Sequence, residues 1–208
     1  MSTISLKQLD ADIRIEDMGM REIAGLIYDT DPYIYPAMFV SRENALLLIP
    51  ELIRSGDPMF RFGNMLVAQT ETQIIGLVLW CKGSLSWKRQ LYDKCIEALD
   101  VEASPFIDDV QDRYFKTYED TPDTTVSIIN VCTNPAYRHK GIGRSMMERL
   151  IKDNSDQCFN FELFALKENY AAVHLYQSLR FSITKEFQGF SVDHRNLPCY
   201  QMVRTVTK

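Results

Sequence analysis

Residues 131–145 read Val131-Cys132-Thr133-Asn134-Pro135-Ala136-Tyr137-Arg138-His139-Lys140-Gly141-Ile142-Gly143-Arg144-Ser145. Arg138, His139, Lys140 and Arg144 add positive charge in a chain that is otherwise acidic. Gly141 and Gly143 let backbone approach a ligand closely, because nothing projects from their Cα. The segment follows a β-rich run, Thr125–Thr133. It opens a helical pattern in which Ile142, Met146, Met147, Leu150 and Ile151 share one face. The first N–H groups of a helix lack internal partners and sit at the positive end of its dipole. Together these features make a site for phosphate. It is not a Walker loop, which needs G-x-x-x-x-G-K-[ST]. Nor is it a dinucleotide fingerprint, since Met146 stands where a third glycine or alanine would be required.

A second chemical candidate lies downstream, from Asn169 to Phe181. Ala172, Leu175, Tyr176 and Leu179 fall on one helical face there, so Tyr176 reads either as a core aromatic or as a hydroxyl presented to a site. The pattern R-x-x-G-x-G, after N-P-x-Y and before an apolar helix, is far more specific than a bare G-x-G. Joined to N-x-x-A-x-x-x-Y-x-x-x-R-F, it resembles the GNAT superfamily of acetyl-CoA-dependent N-acetyltransferases, most closely over residues 122–181.

The resemblance implies that Arg138, His139, Lys140, Gly141, Ile142, Gly143, Arg144 and Ser145 hold the pyrophosphate of acetyl-CoA. It implies that Val131 and Thr133, with Cys132 between them, meet the pantetheine arm, Val131 nearest the acyl carbonyl. Asn169 is implied to touch the same arm. Tyr176 is implied to be the catalytic group that protonates the thiolate as it leaves. No metal is implied.

Two departures from the family stand out. Arg180 replaces the usual glycine after the second helix, and residues 83–121 are inserted between strands three and four. The family's strand glutamate is also absent, because Val126–Thr133 holds no acid; Glu162 on the next strand is one candidate base. The acceptor pocket is implied to lie between Asp29–Pro36 and Gln188–Pro198. Asp29, Asp31, Tyr33 and Tyr35 offer carboxylates and aromatic faces to an amine, or else cap turns and pack on the core. His194 reads as a surface loop residue. The acceptor is a primary amine on a small molecule or peptide. The alternative reading is a non-catalytic acyl-CoA sensor on the same fold.

The elements that must position these groups follow from periodicity. Ile13 and Ile15 suggest a first strand. A helix covers Met18–Tyr28, with Asp17 as cap. DTDPYIYP at 29–36 is a loop. A second helix from Ala45 is capped by Ser41 and kinked or ended at Pro50. Strands at Met65–Gln69 and Gln73–Trp80 form a hairpin. The insertion reads as two helices broken at Ser104-Pro105, with Trp87, Phe106, Tyr114 and Tyr118 as an aromatic stripe. Its 5 Lys/Arg and 9 Asp/Glu give a net of −4, which places it at the acceptor mouth or a dimer contact. Strands at Cys158–Leu166, Phe181–Phe187 and Tyr200–Val206, with a helix over Glu168–Leu179, complete a single α/β (α+β) domain over 1–208. Its sheet is mixed and mostly antiparallel, with helices on both faces.

Composition bounds the partners. The chain has 208 residues, 46% of them hydrophobic and 25% charged, enough for a full core. A net charge of −5 argues against a nucleic-acid partner. The longest apolar run, Ile74 to Cys81, falls well short of the roughly 20 residues of a membrane helix. The N-terminus lacks a basic head and an apolar core, so the expected location is the cytoplasm. Five scattered cysteines, without zinc or C-x-x-C spacing, fit small core residues in a reducing compartment. Met18, Met20, Met146 and Met147 read as packing. A homodimer stays open.

Overall fold

The computed structural model describes residues 3–10, 16–85, 87–113, 115–192 and 195–206. The chain order is β1 (Ser5–Gln8), α1 (Asp17–Tyr28), α2 (Ile34–Phe39), α3 (Arg42–Arg54), β2 (Met65–Gln69), β3 (Ile74–Lys82), α4 (Arg89–Leu99), α5 (Ile107–Arg113) and β4 (Thr125–Thr133). It continues with α6 (Ile142–Asn154), β5 (Asn160–Leu166), α7 (Tyr170–Ser178), β6 (Ser182–Val192) and β7 (Arg195–Thr205). The strands form one sheet in the order β1-β2-β3-β4-β5-β7-β6. Every neighbouring pair is antiparallel except β4 and β5.

Strand alternation splits the core into two layers. Val67, Leu77, Leu79 and Cys81 face a cluster built with α1–α4, where Ile23, Met38, Leu48 and Tyr92 are buried. Leu66, Ile75, Val78, Val126, Phe161 and Leu163 face the opposite cluster, with Met146, Leu150 and Tyr176 of α6 and α7. Helices therefore cover both faces, as the sequence pattern predicts.

Two irregularities at the sheet's centre open the site. Trp80 pairs with Ile128 while Leu79 pairs with Asn130, so Ile129 is an extra residue, a β-bulge. The bulge breaks the alternation: Ile129 packs against the α1–α4 layer, and Asn130 turns the same way. Asn130 is only 1% exposed, and its Oδ1 accepts a 2.9 Å hydrogen bond from the Tyr35 hydroxyl of α2. The second irregularity is a fork. β4 and β5 pair only from Thr125–Asn160 to Ile128–Leu163, although both strands continue beyond.

Several elements differ from the sequence reading. The first strand is Ser5–Gln8, while Ile13 and Ile15 lie outside the described residues. Glu16 stands at the cap of α1 and makes no side-chain cap bond. The 29–36 loop is shorter than expected, because α2 starts at Ile34 with Pro36 in its first turn. That position tolerates proline, since the N–H it lacks would have had no helical partner. Ser41 does cap α3, accepting from Asn44 N at 3.1 Å. α3 then runs through Pro50 to Arg54; full burial of Leu48, Ile49 and Leu52 outweighs the one helical bond the proline cannot make.

The final hairpin is longer than expected, with pairing out to Val192–Arg195. Met20, Met146 and Met147 are buried, but Met18 is 69% exposed. The aromatic stripe of the insertion needs no outside partner: Trp87 and Tyr118 are buried in the chain's own core, and Phe106 packs against it. Tyr114 lies outside the described residues.

Arg180 occupies the left-handed region at φ 67, the position that favours glycine. The helix end is nonetheless closed, with Phe181 N donating to Tyr176 O at 3.0 Å. A left-handed non-glycine costs about 1–2 kcal/mol, and glycine loses part of that gain as chain entropy. Arg180→Gly should therefore raise stability by up to about 1 kcal/mol, measured by urea unfolding.

Asp57, just after α3, is fully buried. Its Oδ1 accepts from Met59 N at 2.9 Å, and its Oδ2 has no hydrogen-bond partner among the described residues. Burial pushes its carboxyl up to about 6. The folded protein then holds that proton more tightly than the unfolded chain. The contribution is fully present below the ordinary carboxyl range and is lost as pH rises through about 6. Asp57→Asn keeps the acceptor for Met59 without the charge. Its stability relative to the parent should rise between pH 4 and pH 8, by at most about 3 kcal/mol, in paired denaturation curves.

Candidate active site

The turn from β4 into α6 is built to leave amides free. Asn134 accepts from Ala136 N and shapes a 3-10 turn over Pro135–Tyr137. His139 and Gly141 both take positive φ, 61 and 77, so the chain reverses sharply before the helix. The first intrahelical bond is Ser145 N to Gly141 O at 2.9 Å. The amides of Ile142, Gly143 and Arg144 precede it in the open first turn. Glycine at 141 is explained by its φ. At Gly143 the explanation is different: a Cβ would meet only Leu175 at 3.6 Å and Thr133 Oγ1 at 3.7 Å, ordinary contacts. Neither packing nor φ requires glycine there, which fits a ligand that must touch the backbone.

This turn borders a groove of about 420 Å³. Val131, Cys132, Thr133, Arg138, His139, Gly141, Ile142, Gly143, Arg144, Asn169 and Tyr176 all line it. Of the residues the sequence puts on the cofactor, Lys140 and Ser145 stand aside. Lys140 Nζ bonds Ala136 O and sits 4.8 Å from the Tyr137 ring centre. Ser145 contributes only the helical bond already described. Arg138 Nε donates to Thr133 O, and Arg144 donates to Ser178 Oγ at 2.7 Å, so both guanidiniums are held at the groove.

The groove continues through the fork. Thr30, Val131, Asn169, Ala172 and Tyr176 line both it and a narrower cavity, about 110 Å³, between the diverging strands. Asn169 caps α7, accepting from Ala172 N at 3.2 Å. Tyr176 is 8% exposed, and its ring packs 6.1 Å from that of Phe181. Burial, and secondarily Cys132, raises its phenol well above the usual range. The hydroxyl therefore keeps its proton at any physiological pH. Cys132 is itself pushed up to about 11 by burial, which makes it a poor nucleophile.

On the far side, α2 and the β6–β7 hairpin frame the fork, with the insertion beside them. The Tyr33 hydroxyl donates to Glu168 at 2.7 Å, and Arg195 lies 5.7 Å over the Tyr33 ring. Glu102, Ser104, Pro105 and Phe106 of the insertion share a cavity of about 370 Å³ with Tyr33 and Arg195. This segment of the insertion therefore lies against α2 and the start of β7. Of the 188–198 span, Arg195, Asn196, Leu197 and Pro198 border this side, and they belong to the strand β7 rather than to a loop. His194 lies outside the described residues.

Other candidates have different duties. Asp29 is on the phosphate side and pairs with Arg42 at 3.1 Å. Glu162 is neither an available base nor solvent-facing. Ser127 and Thr121 donate to its Oε1 and Gln201 to its Oε2, and it borders neither the groove nor the fork. Sequence reading missed Asn130, Glu168 and Arg195. Asn130 inside an apolar strand was the one available signal; the other two are ordinary surface types whose roles depend on long-range pairing.

The fold and the family agree with this geometry. A protein called N-acetyltransferase from Staphylococcus aureus Mu50 superposes with TM-score 0.65 at 17% identity, covering 96% of this chain and all of that one. The yncA protein of Salmonella typhimurium, solved with its cofactor acetyl-CoA, gives 0.60 at 17%, covering 100% and 96%. The NatC complex bound to Gag peptide and CoA gives 0.57 at 16%, covering 98% and 99%. No curated protein matches the sequence. The Acetyltransferase (GNAT) family matches residues 62–181, which spans β2 to the end of α7 and includes both the phosphate turn and Tyr176. The chain belongs to the GNAT acetyltransferase family.

Proposed function

We propose that the protein transfers the acetyl group of acetyl-CoA to a primary amine. The observation that carries this reading is the fork. The groove beside the open amides of α6 and the cavity between the diverging strands share Thr30, Val131, Asn169, Ala172 and Tyr176 as walls. The residues present fit the cofactor: the open first turn of α6 for the pyrophosphate, the stretch of β4 that β5 leaves unpaired on its side for the arm, and Gly143 for close approach. Acetyl-CoA supplies an activated acyl thioester. The chain's own part is to orient it by backbone contacts along β4, to exclude water in the fork, and to hold a proton on the Tyr176 hydroxyl for the departing sulfur. The transfer needs no covalent intermediate on the protein.

The amine specificity rests on the chemistry of the cavity beyond the fork. Five free, buried cysteines fit a reducing, cytoplasmic setting. Among the described residues, no helix is long and apolar enough to cross a membrane. Incubation with acetyl-CoA and a panel of small amines and peptides, read by mass spectrometry, tests the reading. Acetylated amines are expected; free CoA without any acetylated product would contradict it.

A further inference from the structure

Among the described residues, the cavity in the fork is lined by one side chain that can carry charge at neutral pH. Its walls are Ile34, Ile128, Leu163, Phe164, Leu166 and their neighbours, mostly aliphatic or aromatic. The Tyr35 hydroxyl donates to Asn130. Two other titratable groups that line the cavity are held neutral by burial, which raises Tyr176 and pushes Cys199 up to about 11. The exception is Asp31.

Asp31 is held in place by its own helix. Its Oδ1 accepts from Tyr33 N and from Ile34 N, each at 2.7 Å, and so caps α2. Both bonds fall on the same oxygen. Among the described residues nothing bonds Oδ2, and that oxygen is not fully buried, while Asp31 itself lines the cavity. A rigid carboxylate with one oxygen anchored and one free, in a cleft with no other charged side chain among the described residues, is suited to a cation. An ammonium entering such a cleft loses its hydration and requires a counter-charge. It must also lose a proton before its nitrogen can attack.

We infer that Asp31 is the acceptor-binding catalytic residue: it pairs with the acceptor's ammonium and takes its proton. This rests on the acetyl-transfer reading. The balance is simple. R–NH3+ and the Asp31 carboxylate become R–NH2 and a carboxylic acid. The free amine forms the C–N bond as the C–S bond breaks. One further proton leaves nitrogen, and one reaches sulfur through Tyr176. Asp31 then releases its proton to solvent. Burial raises the affinity of Asp31 for a proton, and the nearby Glu168 charge adds to it, against the two amides that lower it. That direction helps a base, provided the group is still ionised when the acceptor arrives.

The test compares two nucleophiles in the parent and in Asp31→Asn, which keeps the Oδ1 acceptor and hence the α2 cap. n-Butylamine is charged at neutral pH and needs both functions; hydroxylamine is already uncharged and needs neither. The ratio of kcat/KM for n-butylamine to that for hydroxylamine should fall by about 10²–10⁴-fold in the variant. A merely structural role would lower both rates together and leave the ratio unchanged, which overturns the inference. A parent that acetylates hydroxylamine but not n-butylamine also overturns it, while acetyl transfer stands. A parent that acetylates neither, though CoA still raises its melting temperature, overturns the acetyl-transfer reading itself.

Discussion

Tyr176→Phe should lower kcat by about 10²–10⁴-fold, the usual worth of a positioned general acid. The ring would stay, and with it the packing on Phe181 and the α6–α7 layer. Only the proton is lost. Acetyl-CoA affinity and melting temperature should therefore hardly change, because the interaction is made only as the sulfur departs. The high proton affinity of this phenol, caused by burial, keeps it protonated before the sulfur departs. Steady-state kinetics with a working amine, together with calorimetric titration of CoA, separate the cases. A Phe variant as fast as the parent would make Tyr176 a core aromatic and nothing more. A loss of affinity with kcat intact would make its hydroxyl a cofactor contact.

Gly143→Glu should abolish the stabilisation that CoA gives. A ligand at about 100 times its Kd stabilises the folded state by roughly 2.7 kcal/mol. The variant places a carboxylate in the open turn where a diphosphate would sit, so like charges would meet. The free protein should survive the change, since a Cβ at this position makes only ordinary contacts and the φ is not left-handed. Thermal melts with and without CoA read this directly. The parent's shift should vanish in the variant while the unliganded melting temperature stays close to the parent's. A variant that keeps its shift would mean that the phosphates bind elsewhere.

The legible parts of this protein were those written locally. The phosphate turn declares itself because free amides, two glycines and cations must be adjacent in sequence to act together. The α6 and α7 faces show in the 3.6-residue period of Met146, Leu150, Ala172 and Tyr176. The less legible parts depend on residues far apart. Asp31 reads from sequence either as a turn cap or as a carboxylate offered to an amine; it does hold the turn through Oδ1, and only the fold shows that it also lines the cavity in the fork. Glu162 looked available on its strand because Ser127, Thr121 and Gln201, which occupy it, come from other segments. The extension of β6 and β7 was hidden by Gly189, Asn196 and Pro198, which read locally as loop residues. The bulge at Ile129 has no marker in a strand rich in β-branched residues, yet it helps to open the site.

The central claim is spatial: the cofactor runs from the α6 turn along the edge of β4 that β5 leaves open, with its sulfur at the fork. A crystal structure of the complex with CoA tests that most directly. The account predicts a diphosphate on the amides of Ile142, Gly143 and Arg144 and a sulfur within hydrogen-bond reach of the Tyr176 hydroxyl. CoA bound away from the fork, or a sulfur separated from Tyr176 by intervening side chains, would contradict it.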